Sequence, residues 1–140
     1  MIYYLIYSST MSLNCTEQEL ENILAVSRKN NVQKNITGIL AYYKGNFIQL
    51  IEGEQEVIRN LYNTISNDFR HCFIEKILEG YASEKQFPNW SMAFKHLSPE
   101  EYREFNGKIP LDINVITHHV ISGEKKHSPI LAALKRFISN

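Results

Sequence analysis

Apolar residues gather in five short runs along the chain, separated by stretches where they recur at helical spacing or give way to polar turns. Ile2-Tyr3-Tyr4-Leu5-Ile6-Tyr7 is apolar or aromatic throughout, the pattern of a strand buried on both faces. After a polar connection over residues 8–14, Thr16-Glu17-Gln18-Glu19 has the form of a capping box. Leu20, Ile23 and Leu24 then recur on one face, which predicts a helix that fades near Asn30-Asn31. Runs 36–43 and 47–52 flank Lys44-Gly45-Asn46, a short connection containing glycine, and so predict an antiparallel hairpin. Glu54-Gln55-Glu56 sets negative charge at the start of a second helix, whose apolar stripe is Val57, Ile58, Leu61, Tyr62 and Ile65. Residues 73–81 and 90–94 predict two more strands.

The order βαββαββ predicts an α+β sandwich of ferredoxin-like type, a mixed five-stranded sheet with two helices on one face. In strand 47–52 both registers are apolar: Phe47 and Ile51 flank Gln49, while Ile48 and Leu50 point the other way. The second face therefore needs a cover too. Segment 98–105, with Ser98 as cap and Pro99 at the first helical position, and segment 128–138 are the helices expected there, alone or with another subunit. Residues 107–127 are expected to form a loop with a short irregular element.

With 140 residues the chain fits one domain with a sizeable core. Fifteen basic residues balance fifteen acidic ones, so no overall field draws it to nucleic acid or an anionic membrane. No apolar run approaches the roughly 20 residues that span a bilayer, and the first residues lack the basic start of a signal peptide. A cytoplasmic protein is expected. Cys15 and Cys72 have no CxxC or Cys/His spacing, and His118, His119 and His127 are too loosely arranged for a metal site, so no metal is expected. No GxSxG or Cys-His signature suggests a hydrolase, and no RNP-like string suggests an RNA-binding module. What stands out is polarity inside apolar strands. Burying a side-chain amide such as that of Gln49 without a partner costs about 1–3 kcal/mol. Tyr7 ends an equally apolar strand. Each is expected to have a partner: another side chain, a ligand, neighbouring backbone, or water at an edge.

Together these residues resemble the BLUF family, the flavin-binding blue-light sensors. Leu5-Ile6-Tyr7-Ser8-Ser9 resembles the family's first strand with its reactive tyrosine. Arg28-Lys29-Asn30-Asn31 with Asn35-Ile36-Thr37-Gly38-Ile39-Leu40 is similar to its helix end and second strand. Phe47-Ile48-Gln49-Leu50-Ile51-Glu52-Gly53 resembles the strand with the family's glutamine, Asp68-Phe69-Arg70-His71 the loop beside the flavin, and Phe87-Pro88-Asn89-Trp90-Ser91-Met92 the tryptophan and methionine strand. The resemblance covers residues 1–96 and implies a flavin-binding domain there. Residues 97–140 are expected to be a helical extension packed on the sheet, as in short stand-alone members.

By this resemblance a flavin would lie between the two helices, with FAD the expected form and FMN or riboflavin as alternatives. Asn31, with Asn30 beside it, would hydrogen-bond the ring edge, Gln49 would lie between flavin and Tyr7, and Ile23 and Ile65 would pack on the ring faces. Arg70 and His71 would line the ring or the start of the ribityl-phosphate chain. Blue light would then draw an electron from Tyr7, with a proton passing by way of Gln49, whose rearranged hydrogen bond shifts absorption to the red. Trp90 and Met92 would relay the signal to the segment from His96 onward; in the family either one approaches the glutamine. The implied partners are a homo-oligomer and an unidentified downstream protein, with no nucleic acid, no membrane and no catalysis. A flavin-binding redox protein without photosensory function is the alternative.

Overall fold

Why the chain needs two covered sheet faces is visible in its topology. The structure, a computed structural model, describes residues 1–11, 16–68, 71–108 and Leu134, with the backbone alone for Glu17, His71 and residues 104–108. Strands β1 (Ile2–Met11), β2 (Thr37–Tyr43), β3 (Asn46–Gly53), β4 (His71–Ala82) and β5 (Ala93–His96) form one sheet in the order β4-β1-β3-β2-β5. Neighbours run antiparallel except β2 and β5, which are parallel. Helices α1 (Glu17–Lys34) and α2 (Gln55–Ser66) connect them, and α3 (Pro99–Lys108) follows β5. This is the mixed five-stranded α+β arrangement that the patterning predicts.

Alternation along the strands sorts the core into two layers. Tyr3, Leu5, Tyr7, Leu40, Phe47 and Ile51 pack with Leu20 and Leu24 of α1 and Ile58 of α2. Tyr4, Ile6, Ile39, Ile48 and Leu50 form the opposite layer, joined by Leu97, by Tyr102 of α3 and by the buried Leu134. The second face is thus covered in part by α3, as expected. The rest of the helix expected over 128–138, and residues 109–127 of the expected loop, lie outside the described residues.

Local signals hold at most element ends. Thr16 Oγ1 accepts from the Glu19 amide at 3.2 Å to cap α1. Ser98 and Glu101 complete a reciprocal capping box at the start of α3, at 3.1 and 2.9 Å. The hairpin turns on Lys44 (φ 44°) and Gly45 (φ 85°), the two positive φ values of a type I′ turn. Several boundaries differ from expectation. Strand β1 does not end at Tyr7 but runs to Met11, because residues 8–11, expected as polar connection, pair with β3 and β4, and β4 spans His71–Ala82 rather than 73–81. Helix α1 runs past Asn30-Asn31 to Lys34 and stops at Asn35, which takes the left-handed conformation (φ 57°). Helix α3 continues through Gly107 to Lys108. The fifth strand starts at Ala93 rather than residue 90, because Phe87-Pro88-Asn89-Trp90 closes a turn through Trp90 N–H to Phe87 O at 3.1 Å.

Strand β4 also carries two irregularities that alternation alone hides. Ile77 is extra between the pairs Ile6 with Leu78 and Tyr7 with Lys76. Ser9 alone lies opposite both Phe73, at φ 53°, and Ile74. One irregularity falls beside Tyr7, a placement common for bulges next to functional sites.

Candidate functional site

Register brings the two polar strand residues together. Tyr7 of β1 lies directly opposite Gln49 of β3, and Leu40 of β2 lies opposite Gln49 on its other side. Directly opposed residues project from the same face with Cβ atoms about 5 Å apart, close enough for side chains to meet. The Tyr7 hydroxyl donates to Gln49 Oε1. Gln49 Nε2 donates in turn to Met92 Sδ at 3.2 Å. All three side chains are buried. The partner that Gln49 needs is therefore partly Tyr7 and partly a thioether, which is a weak acceptor.

Burial pushes the Tyr7 phenol well above its ordinary value, and the neighbouring Tyr62, ring edge to ring at 5.5 Å, adds to the rise. Tyr7 is thus a neutral donor throughout the physiological range. Tyr3 and Tyr4 are each pushed from 10 up to about 12, both mainly by burial and Tyr3 also by its hydrogen bond to Glu79. A raised folded value stabilises the fold fully below the unfolded value and is lost as pH climbs toward the folded one. The melting temperature is therefore expected to hold steady up to about pH 9 and to fall between pH 10 and about 12. A thermal melt series across that window checks it; a flat profile would contradict the burial of these phenols.

A cavity of about 300 Å³ opens between α1 and α2 above this trio. Its walls include Ile23, Asn30 and Asn31 from α1, Ile65 from α2, and Tyr7, Gln49 and Met92 from the sheet side. These predicted site residues converge; others do not. Trp90 stands outside the cavity lining and is 46% exposed, so the methionine and not the tryptophan meets the glutamine. Neither residue lies in the strand expected over 90–94, because residues 87–92 are a turn and its continuation. Arg70 and the side chain of His71 lie outside the described residues, as does Cys15; Cys72 is a half-buried thiol.

The sequence pattern did not single out Ser27, Lys34 and Thr64, which also line the cavity, as does Asp68 of the segment that resembles the loop beside the flavin. Their spacing was the available signal. Ile23, Ser27, Asn30 and Lys34 fall on one helical face, where polar residues interrupt a stripe that would otherwise be apolar.

The residues fit a flavin. Two apolar walls from facing helices suit the faces of a flat ring, and carboxamides at the floor and side suit a rim of nitrogen and oxygen atoms. Gln49 Nε2, engaged only by sulfur at 3.2 Å, has donor capacity to offer such a rim. The cavity lies at the low end of the roughly 300–1,000 Å³ typical of small-molecule sites, the scale of a ring system more than of a whole dinucleotide. Among the described residues no cluster of side chains could hold a metal ion, and no helix is long and apolar enough to cross a membrane.

Known proteins similar to this chain belong to one family. The BLUF family, described as sensors of blue-light using FAD, matches residues 2–93. The blue light- and temperature-regulated antirepressor BluF of Escherichia coli (strain K12) is 32% identical over 87 residues, which are 62% of this chain and 22% of the antirepressor. The photoactivated adenylate cyclase subunit beta of Euglena gracilis is 29% identical over 89 residues, 63% of this chain and 10% of that protein. The chain thus spans less than a quarter of these relatives. Among solved structures, the dark state of BlrB, a BLUF protein, superposes with a TM-score of 0.73 at 29% identity, covering 98% of this chain and 94% of that one. The ground state of BlsA gives 0.70 at 31% identity over 76% of this chain and 72% of that one.

Proposed function

Because the chain belongs to the BLUF family, sensors of blue light using FAD, we propose that it is a photoreceptor holding FAD non-covalently between α1 and α2. Tyr7 and Gln49 carry its response. The single observation behind this reading is the buried relay from the Tyr7 hydroxyl to Gln49 Oε1 and from Gln49 Nε2 to Met92 Sδ, at the floor of the cavity. Ile23 and Ile65 would hold the ring faces, with Asn30 and Asn31 at its edge and Arg70 and His71 toward the tail; FMN or riboflavin would occupy the same ring site.

When bound, the flavin supplies absorption of blue light and an acceptor for one electron. Tyr7 supplies that electron. A phenol that loses an electron becomes strongly acidic, and its proton has a ready path along the hydrogen bond to Gln49 Oε1. On the far side the amide is tied only to sulfur, so turning it over gives up that weak bond and brings Nε2 in place of Oε1 to the Tyr7 oxygen. The return of electron and proton then leaves Gln49 reversed or tautomerised, offering a different group to the cavity. That change is a shift of population between two arrangements of the same residues, and it reaches β5 and α3 through Met92.

Residues 1–96 form the sensing unit in this reading and residues 97–140 an extension that passes the change on, consistent with Tyr102 packing on the second face. The output is altered contact with a downstream protein or between copies of the chain, not turnover of a substrate. An antirepressor and a cyclase subunit among the relatives differ in output, which favours a sensor serving several kinds of partner.

Visible spectra of the purified protein before and after blue light test the proposal. A yellow protein with a small red shift that reverses in the dark is expected. A colourless one ends the flavin reading, and colour without the shift leaves a redox flavoprotein instead.

A further inference from the structure

The link between β4 and β5 is gripped by groups that the light response, as described, leaves unused. Glu52 of β3 is fully buried, and both of its oxygens accept. Oε1 takes the Gln86 amide at 2.7 Å; Oε2 takes the Phe87 amide at 2.8 Å and the Thr37 hydroxyl at 2.7 Å. All three donors are neutral. A buried carboxyl is tolerated only where such donors converge on it, so its place in the fold is tied to what it holds.

What it holds is the base of a turn. Phe87 opens the turn Phe87-Pro88-Asn89-Trp90, and the next three carbonyls are each taken in succession. Trp90 O accepts from the Gly38 amide at 3.1 Å, Ser91 O from Asn31 Nδ2 at 2.7 Å, and Met92 O from Arg28 Nε at 3.0 Å. The outcome is Met92 Sδ against Gln49 and Trp90 half out in solvent.

We propose that Glu52 and Arg28 are positioning residues for the light response: they hold the two ends of segment 86–92 so that Met92, and not Trp90, meets Gln49. This rests on the reading in which Gln49 is the responding group. Met92 and Trp90 are two residues apart, so exchanging them slides the segment by about 7 Å in extended chain. Such a slip breaks the carbonyl bonds and pulls Phe87 from Glu52. The grip therefore sets how far the equilibrium favours the methionine. Loss of one ordinary hydrogen bond shifts such a balance by about fivefold.

Trp90 is the only tryptophan in the chain, so its emission reports on this segment alone. In Glu52→Gln an amide NH2 faces a backbone N–H, and in Arg28→Lys a point charge replaces the donor fixed on Met92 O. Both are compared with the parent protein, flavin bound, by acrylamide quenching of Trp90 and by the rate of dark recovery after a blue pulse. The expected result is altered quenching and a recovery rate changed by about fivefold in Glu52→Gln, with a smaller change of the same sign in Arg28→Lys. Ile58→Val, buried on α2 but outside the cavity lining, lowers the melting temperature but moves neither readout, which separates positioning from mere stability. Should Glu52→Gln not fold, the half-exposed Arg28→Lys carries the test. Unchanged quenching and recovery in a responding parent overturn this proposal alone; a parent without a red shift overturns the photoreceptor reading along with it.

Discussion

Tyr7→Phe is expected to abolish the light-induced red shift completely while the protein stays yellow in the dark. The substitution keeps the ring and its edge contact with Tyr62 but removes the hydroxyl that donates to Gln49. The cavity walls from Ile23, Asn31 and Ile65 are untouched, so flavin should remain bound. Magnitudes decide what the outcome means. Gln49 Oε1 loses a hydrogen bond worth about 1 kcal/mol, which as a structural effect alone moves an equilibrium or a rate by roughly fivefold. A phenol that supplies both the electron and the proton leaves nothing behind when it is removed. Difference spectra of the variant, with flavin content measured by dark absorption, separate the two cases. A surviving shift that is merely weaker or slower would assign Tyr7 a structural role and place the donor elsewhere.

Gly38→Ala is expected to destabilise the fold by about 3 kcal/mol or more, a large part of the roughly 5–15 kcal/mol that holds a typical domain together. Gly38 of β2 lies opposite Ile51 of β3, and a Cβ added to it would stand 2.0 Å from Leu50 O and 3.0 Å from Leu50 C. Both are backbone atoms of a central strand and cannot step aside as a side-chain tip would. Strand β2 would have to leave β3 next to Gln49, and the Gly38 amide would lose Trp90 O. A fall in melting temperature of about 10 °C or more is expected. Gly45→Ala is the control. Gly45 has open space around its would-be Cβ, so only its left-handed φ of 85° is strained, at about 1–2 kcal/mol. Equal losses for the two variants would show that the approach of β2 to β3 is softer than these distances require.

Much of this architecture is legible in the chain because its causes are local. A capping sequence at Thr16, the Ser98-Pro99 start of α3, and the two-residue turn after Tyr43 act through neighbours a few positions away, and each lies where the pattern predicts. The pair Tyr7 and Gln49 is legible for a related reason: polar groups inside apolar strands require partners, whatever the fold. The early end expected for α1 misled because Asn30 and Asn31 read as a stop signal, whereas helical Asn31 is buried and held by Ser91 O at 2.7 Å. Glu52 escaped notice altogether. At the end of a strand and before a glycine it reads as a solvated edge, and its donors Gln86 and Phe87 come from 34 and 35 positions away.

Periodicity and capping alone determined the succession of strands and helices, the need for two covered faces, and the two polar residues whose burial demands an explanation. Only the folded arrangement decided that Met92 and not Trp90 sits against Gln49, that β4 bulges beside Tyr7, and that a buried carboxyl grips the segment between β4 and β5. The division has a physical origin. Backbone preference and hydrophobic alternation act over one or two turns of chain, while register, bulges and buried hydrogen bonds depend on which distant segments compete for the same space.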